Sequence, residues 1–389
     1  MQGAGLGVAL AATSGAQALA TLGVFALPVL VAQASVDYGL GVSSIGYQVA
    51  LTYLAAALAS MAAPRVLHHL GPLRGTQLAL LSAALAVALL AAASLPLGIL
   101  ASILLGAAYA LTNPAASVLL ARLAPPRRRN MVFAVKQTGV PLGVAVAGFV
   151  LPSLAATFGW QAAMLTAAAT LALLALGLQP LRAGWDAERG GTTASQPPPR
   201  VVGLPSLRAL ALTGGAFATV QIAIGAHMVA MLVLDFAWDP VSAGALVGLC
   251  QLVGALARLG WAVVADAWRS GLTVLALIGL LSAALLLLLP AARSAEPWAV
   301  ALLFVLLGAT MTGWNGVLIA ESVRLAPTGG AAAASGMVLS MTFAGAVIGP
   351  ATVALLATLL GGYATVFALG AVLPVLGAII AWRARRLSA

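Results

Sequence analysis

The chain has 389 residues, 62% of them hydrophobic and only 7% charged, far above the roughly 45–50% apolar content of soluble domains, which excludes an ordinary soluble globular protein. Its net charge of +10 sits in short arginine-bearing gaps between long apolar runs, pointing to membrane orientation rather than to a nucleic-acid-binding face. A single cysteine, Cys250, in an apolar run, excludes a disulfide framework within the chain.

A membrane helix needs about 20 mostly apolar residues, and Gly, Pro and charged residues punctuate the chain into twelve such stretches. In chain order they are predicted at 6–32, 42–63, 75–95, 97–121, 131–155, 161–180, 207–234, 241–266, 271–290, 297–320, 330–358 and 363–382. The first lacks the basic n-region of a signal peptide and is long enough to cross a bilayer, so it reads as a retained helix. The segment 181–206 is the longest polar stretch, with Asp186, Glu188, Arg189 and the run Ser195-Gln196-Pro197-Pro198-Pro199, and it divides the chain into six spans plus six.

With both termini inside, the inner segments carry fifteen arginines and the outer ones only Arg293. The positive-inside rule therefore predicts cytoplasmic termini in a bacterial inner membrane. The expected organisation is an all-α membrane protein, with an N-terminal six-helix bundle over 1–180, a cytoplasmic linker over 181–206 and a C-terminal six-helix bundle over 207–389.

The two halves echo each other. Leu104-Leu105-Gly106-Ala107 recurs as Leu306-Leu307-Gly308-Ala309, Asn113 as Asn315, and Arg122-Leu123-Ala124-Pro125 as Arg324-Leu325-Ala326-Pro327, always 202 residues on. Two parallel repeats of this kind imply a substrate path at their interface, opened alternately to each side.

On this topology, repeat and central loop, the chain resembles the major facilitator superfamily of secondary transporters over essentially its whole length. In that family the loop between the second and third helices reads G-x-L-a-D-r-x-G-r; here Pro64 to Pro72 reads P-R-V-L-H-H-L-G-P, which keeps Gly71 but puts His68 at the acid. Arg258 to Asp266 is similar to the R-x-x-x-G-x-l-a-D word after the eighth helix, with the Gly displaced. The resemblance thus implies a gate at His68 and Asp266. Gly336, Gly345, Gly349 and Pro350 match the glycine pattern that the family's antiporters carry in the fifth helix, whereas the fifth span has Ala134, Gly143, Ala147 and Gly148. Small residues at such spacing let backbones approach, so the pattern reads as packing and not as antiport.

Charge inside a bilayer is costly and marks a functional site by default. Lys136 lies about 9 Å into the fifth helix and Arg258 about 12 Å into the eighth, at 1.5 Å per residue, and no Asp or Glu lies in the central part of any span. Two such cations suit an anionic substrate, with Arg258 forking a carboxylate and Lys136 serving as a point charge. Against this, Lys136 has the length to snorkel to the headgroups, and Arg258 has a structural alternative near Asp266. An arginine at this place in the eighth helix is similar to that of the oxalate/formate antiporter and monocarboxylate transporter branches.

Gln137 follows Lys136, and Pro141 frees the Gln137 carbonyl, which is tolerated where a helix lines a cavity. Asn113 and Asn315, at equivalent repeat positions, and Gln17, Gln221 and Gln48 are further polar candidates for the substrate path. Repeat symmetry gives the two asparagines an interhelical hydrogen bond as the alternative. His227, alone among the three histidines in lying within a span, is the candidate proton carrier, set against plain hydrogen bonding within the bundle.

Neither a metal-ligating cluster nor a nucleotide-binding word stands out, so no cofactor and no catalysis are expected. The sequence reading is a monomeric secondary transporter, in contact with the lipid bilayer, that moves a small organic anion by proton symport or anion exchange and engages no nucleic acid. The rival reading is a proton-coupled efflux antiporter for drugs or other amphiphiles.

Overall fold

The structure, a computed structural model, describes residues 5–124, 129–186, 204–327 and 331–387. Among them there is no strand, and twelve helical stretches are long and apolar enough to cross a membrane. These spans are Leu6–Val29, Val42–Ser60, Pro72–Leu90, Leu95–Leu120, Val135–Phe158, Trp160–Trp185, Pro205–Phe236, Pro240–Trp268, Gly271–Leu288, Pro297–Arg324, Gly336–Leu360 and Tyr363–Arg385. Helix is the form in which a lipid-exposed segment satisfies every backbone polar group internally. Five spans open with proline in the first helical turn, where its missing N–H costs nothing. The all-helical, twelve-span class expected from sequence is what the structure has.

The chain divides into two compact units. One comprises Met1–Val42 with Leu51–Thr193, the other Ser43–Ala50 with Ala194–Ala389. The short stretch Ser43–Ala50 groups with the second unit through Gly46, where an added Cβ would stand 2.5 Å from His227 Nε2 and 2.8 Å from the Ala354 methyl. Of the linker, residues 187–203 lie outside the described residues, and so do Arg127, Arg128 and the side chain of His68.

Within the first unit, the first span packs on the fourth and fifth, and the third on the fourth and sixth. The second unit repeats these neighbours: the seventh span packs on the tenth and eleventh, and the ninth on the tenth and twelfth. The repeat extends to polar detail. Asp37, beyond the first span, accepts from Trp160 Nε1 at 2.8 Å and Gln161 Nε2 at 2.7 Å at the start of the sixth. Asp235, late in the seventh, accepts from Ala364 N at the start of the twelfth and from Arg293 Nη2 between the ninth and tenth, each at 2.7 Å. Each carboxylate thus holds the opening turn of the closing span in its own unit, where unpaired N–H groups favour an anion. Beside Asp37, Tyr38 donates to Leu90 O at 2.6 Å, and burial pushes its hydroxyl pKa up to about 12, which keeps it a donor.

Two spans are interrupted. The fifth breaks at Thr138, between Arg129–Gln137 and Gly139–Phe158, because Pro141 has no N–H for the preceding turn. The tenth, read from sequence as one continuous helix, breaks between Pro297–Met311 and Trp314–Arg324. There is no proline at this second break. Instead Gly313 sits against the Trp261 ring of the eighth span, and side chains of that span meet the carbonyls freed at the break.

Candidate functional site

The first unit gathers its polar residues around Lys136. Gly139 and Gly143 bring the fifth span onto the first: a Cβ on Gly139 would lie 2.6 Å from Ser14 O, and one on Gly143 would run into Ala18 O. At that backbone separation Lys136, one turn before Gly139, is turned inward and is 2% exposed. It does not reach toward the headgroups. Its Nζ donates to Gln17 Oε1 at 2.8 Å, to Asn113 Oδ1, and to Gln137 Oε1 at 3.4 Å. Gln17 Oε1 also accepts from the Thr112 hydroxyl at 3.1 Å, and Gln17 Nε2 donates to Thr21 Oγ1 at 3.4 Å. An ammonium only donates, so the three amides turn their oxygens to it.

This cage solvates the cation without neutralising it. A lone cation in a bilayer-spanning helix costs up to about 2.5–3.5 kcal/mol on insertion scales, the full value at the helix centre, and hydrogen bonds to a charged group return about 1.5–3 kcal/mol each. Three neutral acceptors therefore make the buried charge tolerable. Among the described residues no carboxylate pairs with Lys136.

The second unit holds the equivalent amides in another arrangement. Asn315 Nδ2 donates to Gln221 Oε1 at 3.1 Å, from the tenth span to the seventh. The residue 202 positions after Lys136 is Val338, which is 0% exposed. Where the second unit lets its amide pair close on itself, the first has inserted an ammonium.

Arg258 belongs to the break in the tenth span. Its Nε donates to Thr312 O at 2.8 Å, and Trp261 Nε1, one turn on, donates to Ala309 O at 3.0 Å. Gly254, one turn before, lies against Thr312. A single face of the eighth span thus satisfies two carbonyls at the break. The position 202 residues before Thr312 is Ala110, whose carbonyl Pro114 frees in the fourth span, although that helix runs unbroken from Leu95 to Leu123. Arg258 is half-buried, while Asp266 is exposed near the end of the eighth span.

His227 is fully buried and faces the eleventh span, with Nε2 3.0 Å from Pro350 O and its ring 5.3 Å from that of Tyr363. Gln48 lies half-buried in the second span, within the stretch that groups with His227. Lys136, Gln137, Asn113 and Gln17 therefore come together in the first unit. Arg258, Asn315, Gln221 and His227 fall in the second, where the amide pair, the arginine and the histidine each have separate partners.

Three side chains with clear roles escape the sequence reading. Thr112, beside Asn113, orients Gln17. Asp186 Oδ1 and Oδ2 accept from Leu73 N at 2.8 Å and Arg74 N at 3.2 Å, capping the third span. Glu321 accepts from Arg324 Nε at 2.5 Å and packs on Gly271 at the start of the ninth. The signal for the last two was a helix opening at Gly71-Pro72 and at Gly271 without an acid of its own. Among the described residues no three His, Cys, Asp or Glu side chains are grouped to hold a metal.

Twelve spans in two units of matching internal packing define a multi-pass membrane protein of the transporter class. The sequence pattern of the Major Facilitator Superfamily matches residues 13–350, and the chain belongs to that family of secondary transporters. Similar solved structures include a bacterial homolog of the human lysosomal transporter Spinster in an inward-facing and occupied conformation. It has 16% identity and a TM-score of 0.76, over 97% of this chain and 96% of that one. The nucleoside transporter NupG, as a point mutant, is similar at 17% identity and a TM-score of 0.76, over 97% and 99%. At such identity these two relatives share the fold alone. Among curated proteins no match is found.

Proposed function

We propose that this secondary transporter carries a small organic anion, a carboxylate, and that Lys136 is the residue that binds it. The observation that carries the reading is the buried ammonium of the first unit, held by Gln17, Asn113 and Gln137 through neutral oxygens only. An anion completes such a site by supplying the missing charge in a low-dielectric setting, where the attraction is strongest. The contrast with Val338 and the closed Asn315–Gln221 pair favours a functional origin, since a six-span unit of this design packs without the cation.

In this reading the bundles 1–180 and 207–389 alternate about the linker 181–206, in a bacterial inner membrane, with both termini cytoplasmic and the chain acting as a monomer. The arginine asymmetry supports that orientation. Arg258, with Nε on Thr312 O, holds the eighth span to the broken tenth. Asn315 and Gln221 line the second unit's side of the path. His68 and Asp266 keep the gate role that their place in the loop words implies. Coupling is by proton symport through His227 or by exchange of one anion for another.

The test is uptake into proteoliposomes of radiolabelled acetate, benzoate and succinate, with and without a pH gradient, by wild type and by Lys136→Gln. The expected result is saturable uptake of a carboxylate that the variant loses. Carboxylate uptake undiminished in a folded Lys136→Gln protein, or transport confined to hydrophobic cations, refutes it and favours the efflux reading.

A further inference from the structure

Three acceptors surround three N–H groups on Lys136, so an incoming anion has no vacant donor to take. One acceptor must leave. Gln17 is poorly suited: it is 0% exposed, and its oxygen is shared with the Thr112 hydroxyl. Asn113 is half-buried and accepts from Nζ at the position just before Pro114 in the fourth span. Gln137 differs on every count. Its oxygen stands 3.4 Å from Nζ, beyond the 2.7–3.2 Å of an ordinary N–H···O bond. Its side chain is exposed, and it is the last residue of the helix that ends at the Thr138 break.

We infer, resting on the anion-carrying role of Lys136, that Gln137 is a resident stand-in ligand: one carboxylate of the cargo displaces its amide from the ammonium, and the cargo is a monocarboxylate. An anion arriving past the exposed Gln137 side chain meets an amide oxygen held at 3.4 Å from Nζ. The exchange replaces a neutral oxygen with a charged one, which forms the shorter and stronger bond. One carboxylate cancels the single positive charge of the group. Neither Gln17, Thr112, Asn113 nor Gln137 brings a second cation for another carboxylate.

Holding the empty cation in this way also selects against neutral molecules. A sugar hydroxyl or an amide gains nothing over the Gln137 oxygen already present, whereas a carboxylate gains a full charge. Gln137 is accordingly a specificity-determining residue, and replacing its amide with an acid installs a permanent competitor.

The experiment measures melting-temperature shifts of the detergent-purified full chain with sodium acetate, benzoate and succinate, with sodium chloride as control. It compares wild type, Lys136→Gln, Gln137→Ala and Gln137→Glu. Removal of a competing hydrogen bond should tighten benzoate or acetate binding by about 3- to 10-fold in Gln137→Ala. Gln137→Glu should melt no lower than wild type and lose the carboxylate shift, because its own side-chain carboxylate already occupies the ammonium. Succinate should bind more weakly than the monocarboxylates. Weaker carboxylate binding in Gln137→Ala, an undiminished shift in a folded Gln137→Glu, or tighter binding of succinate overturns the inference while leaving the anion role intact. A carboxylate shift that persists in Lys136→Gln, or no carboxylate shift in wild type, overturns both.

Discussion

Of the glycines in the eleventh span, Gly349 and Gly336 should respond in opposite directions to one added methyl. A Cβ on Gly349 would stand 2.8 Å from the Thr219 carbonyl carbon and 3.0 Å from its Cα, and nearer still to its oxygen. All three atoms are backbone and cannot rotate away. Carbon atoms in contact sit about 3.5–4.0 Å apart, so the seventh and eleventh spans must part by roughly 0.5–1 Å, a strain of about 1–3 kcal/mol. The neighbouring hydrogen bond from His227 to Pro350 O, now 3.0 Å, is stretched to its limit and adds about 0.5–1.5 kcal/mol. Gly349→Ala should therefore destabilise the second unit by about 1.5–4.5 kcal/mol in total. Gly336, in the same sequence pattern, has nothing within 4 Å of its would-be Cβ. Alanine there should be neutral or stabilising by about 0.5–1 kcal/mol, through the lower helix cost of alanine. The assay is thermal unfolding of both variants in one detergent, read as a paired difference because a chain of two units need not unfold in one step. Gly349→Ala melting as high as Gly336→Ala would refute the packing argument.

Other tests address single contacts. Asp239 caps the eighth span by accepting from Ser242 N at 2.9 Å and Val241 N at 3.0 Å, and hydrogen bonding from Ser242 holds its pKa below the usual carboxylate value. Its contribution is thus present above the ordinary carboxylate pKa and fades as pH falls through the lowered one; Asp239→Ala should cost about 0.5–2 kcal/mol at neutral pH and less in acid, as thermal melts across pH will check. Arg258→Gln should lower the melting temperature by leaving Thr312 O without its charged donor, a loss of about 1.5–3 kcal/mol, yet keep the carboxylate shift; loss of that shift in a folded protein would put Arg258 among the anion's ligands. His227→Gln retains a donor for Pro350 O and should fold, but lose accumulation driven by a pH gradient; full accumulation by this variant would remove His227 from proton coupling.

What the sequence made legible, and what it hid, divides along the range of the interactions. The twelve spans were visible because a bilayer demands long apolar runs, and Gly and Pro mark their ends. The break in the fifth span was foreshadowed by Pro141, since a missing N–H acts within one turn. The break in the tenth has no proline: its carbonyls are met by Arg258 and Trp261, 54 and 48 residues away in the chain, and no local pattern reports that. The same distance hid the cage around Lys136. Its residue types suggested a site, but the meeting of Lys136 with Gln17, 119 residues earlier, depends on Gly139 and Gly143 admitting the first span to backbone contact. Asn315 and Gln221 looked like equals of Asn113 and Gln17, and only the packed structure separates a closed amide pair from one opened by a cation.

The measurement that bears most directly on Lys136 is thermal stabilisation of the purified chain by a panel of small carboxylates, inorganic anions, sugars and hydrophobic cations, run beside Lys136→Gln. An anion bound at 100 times its Kd stabilises by about 2.7 kcal/mol, enough to raise the melting temperature measurably. The expected result is a saturable shift with carboxylates that vanishes in Lys136→Gln. Stabilisation by hydrophobic cations alone, or a carboxylate shift that Lys136→Gln retains, would contradict it.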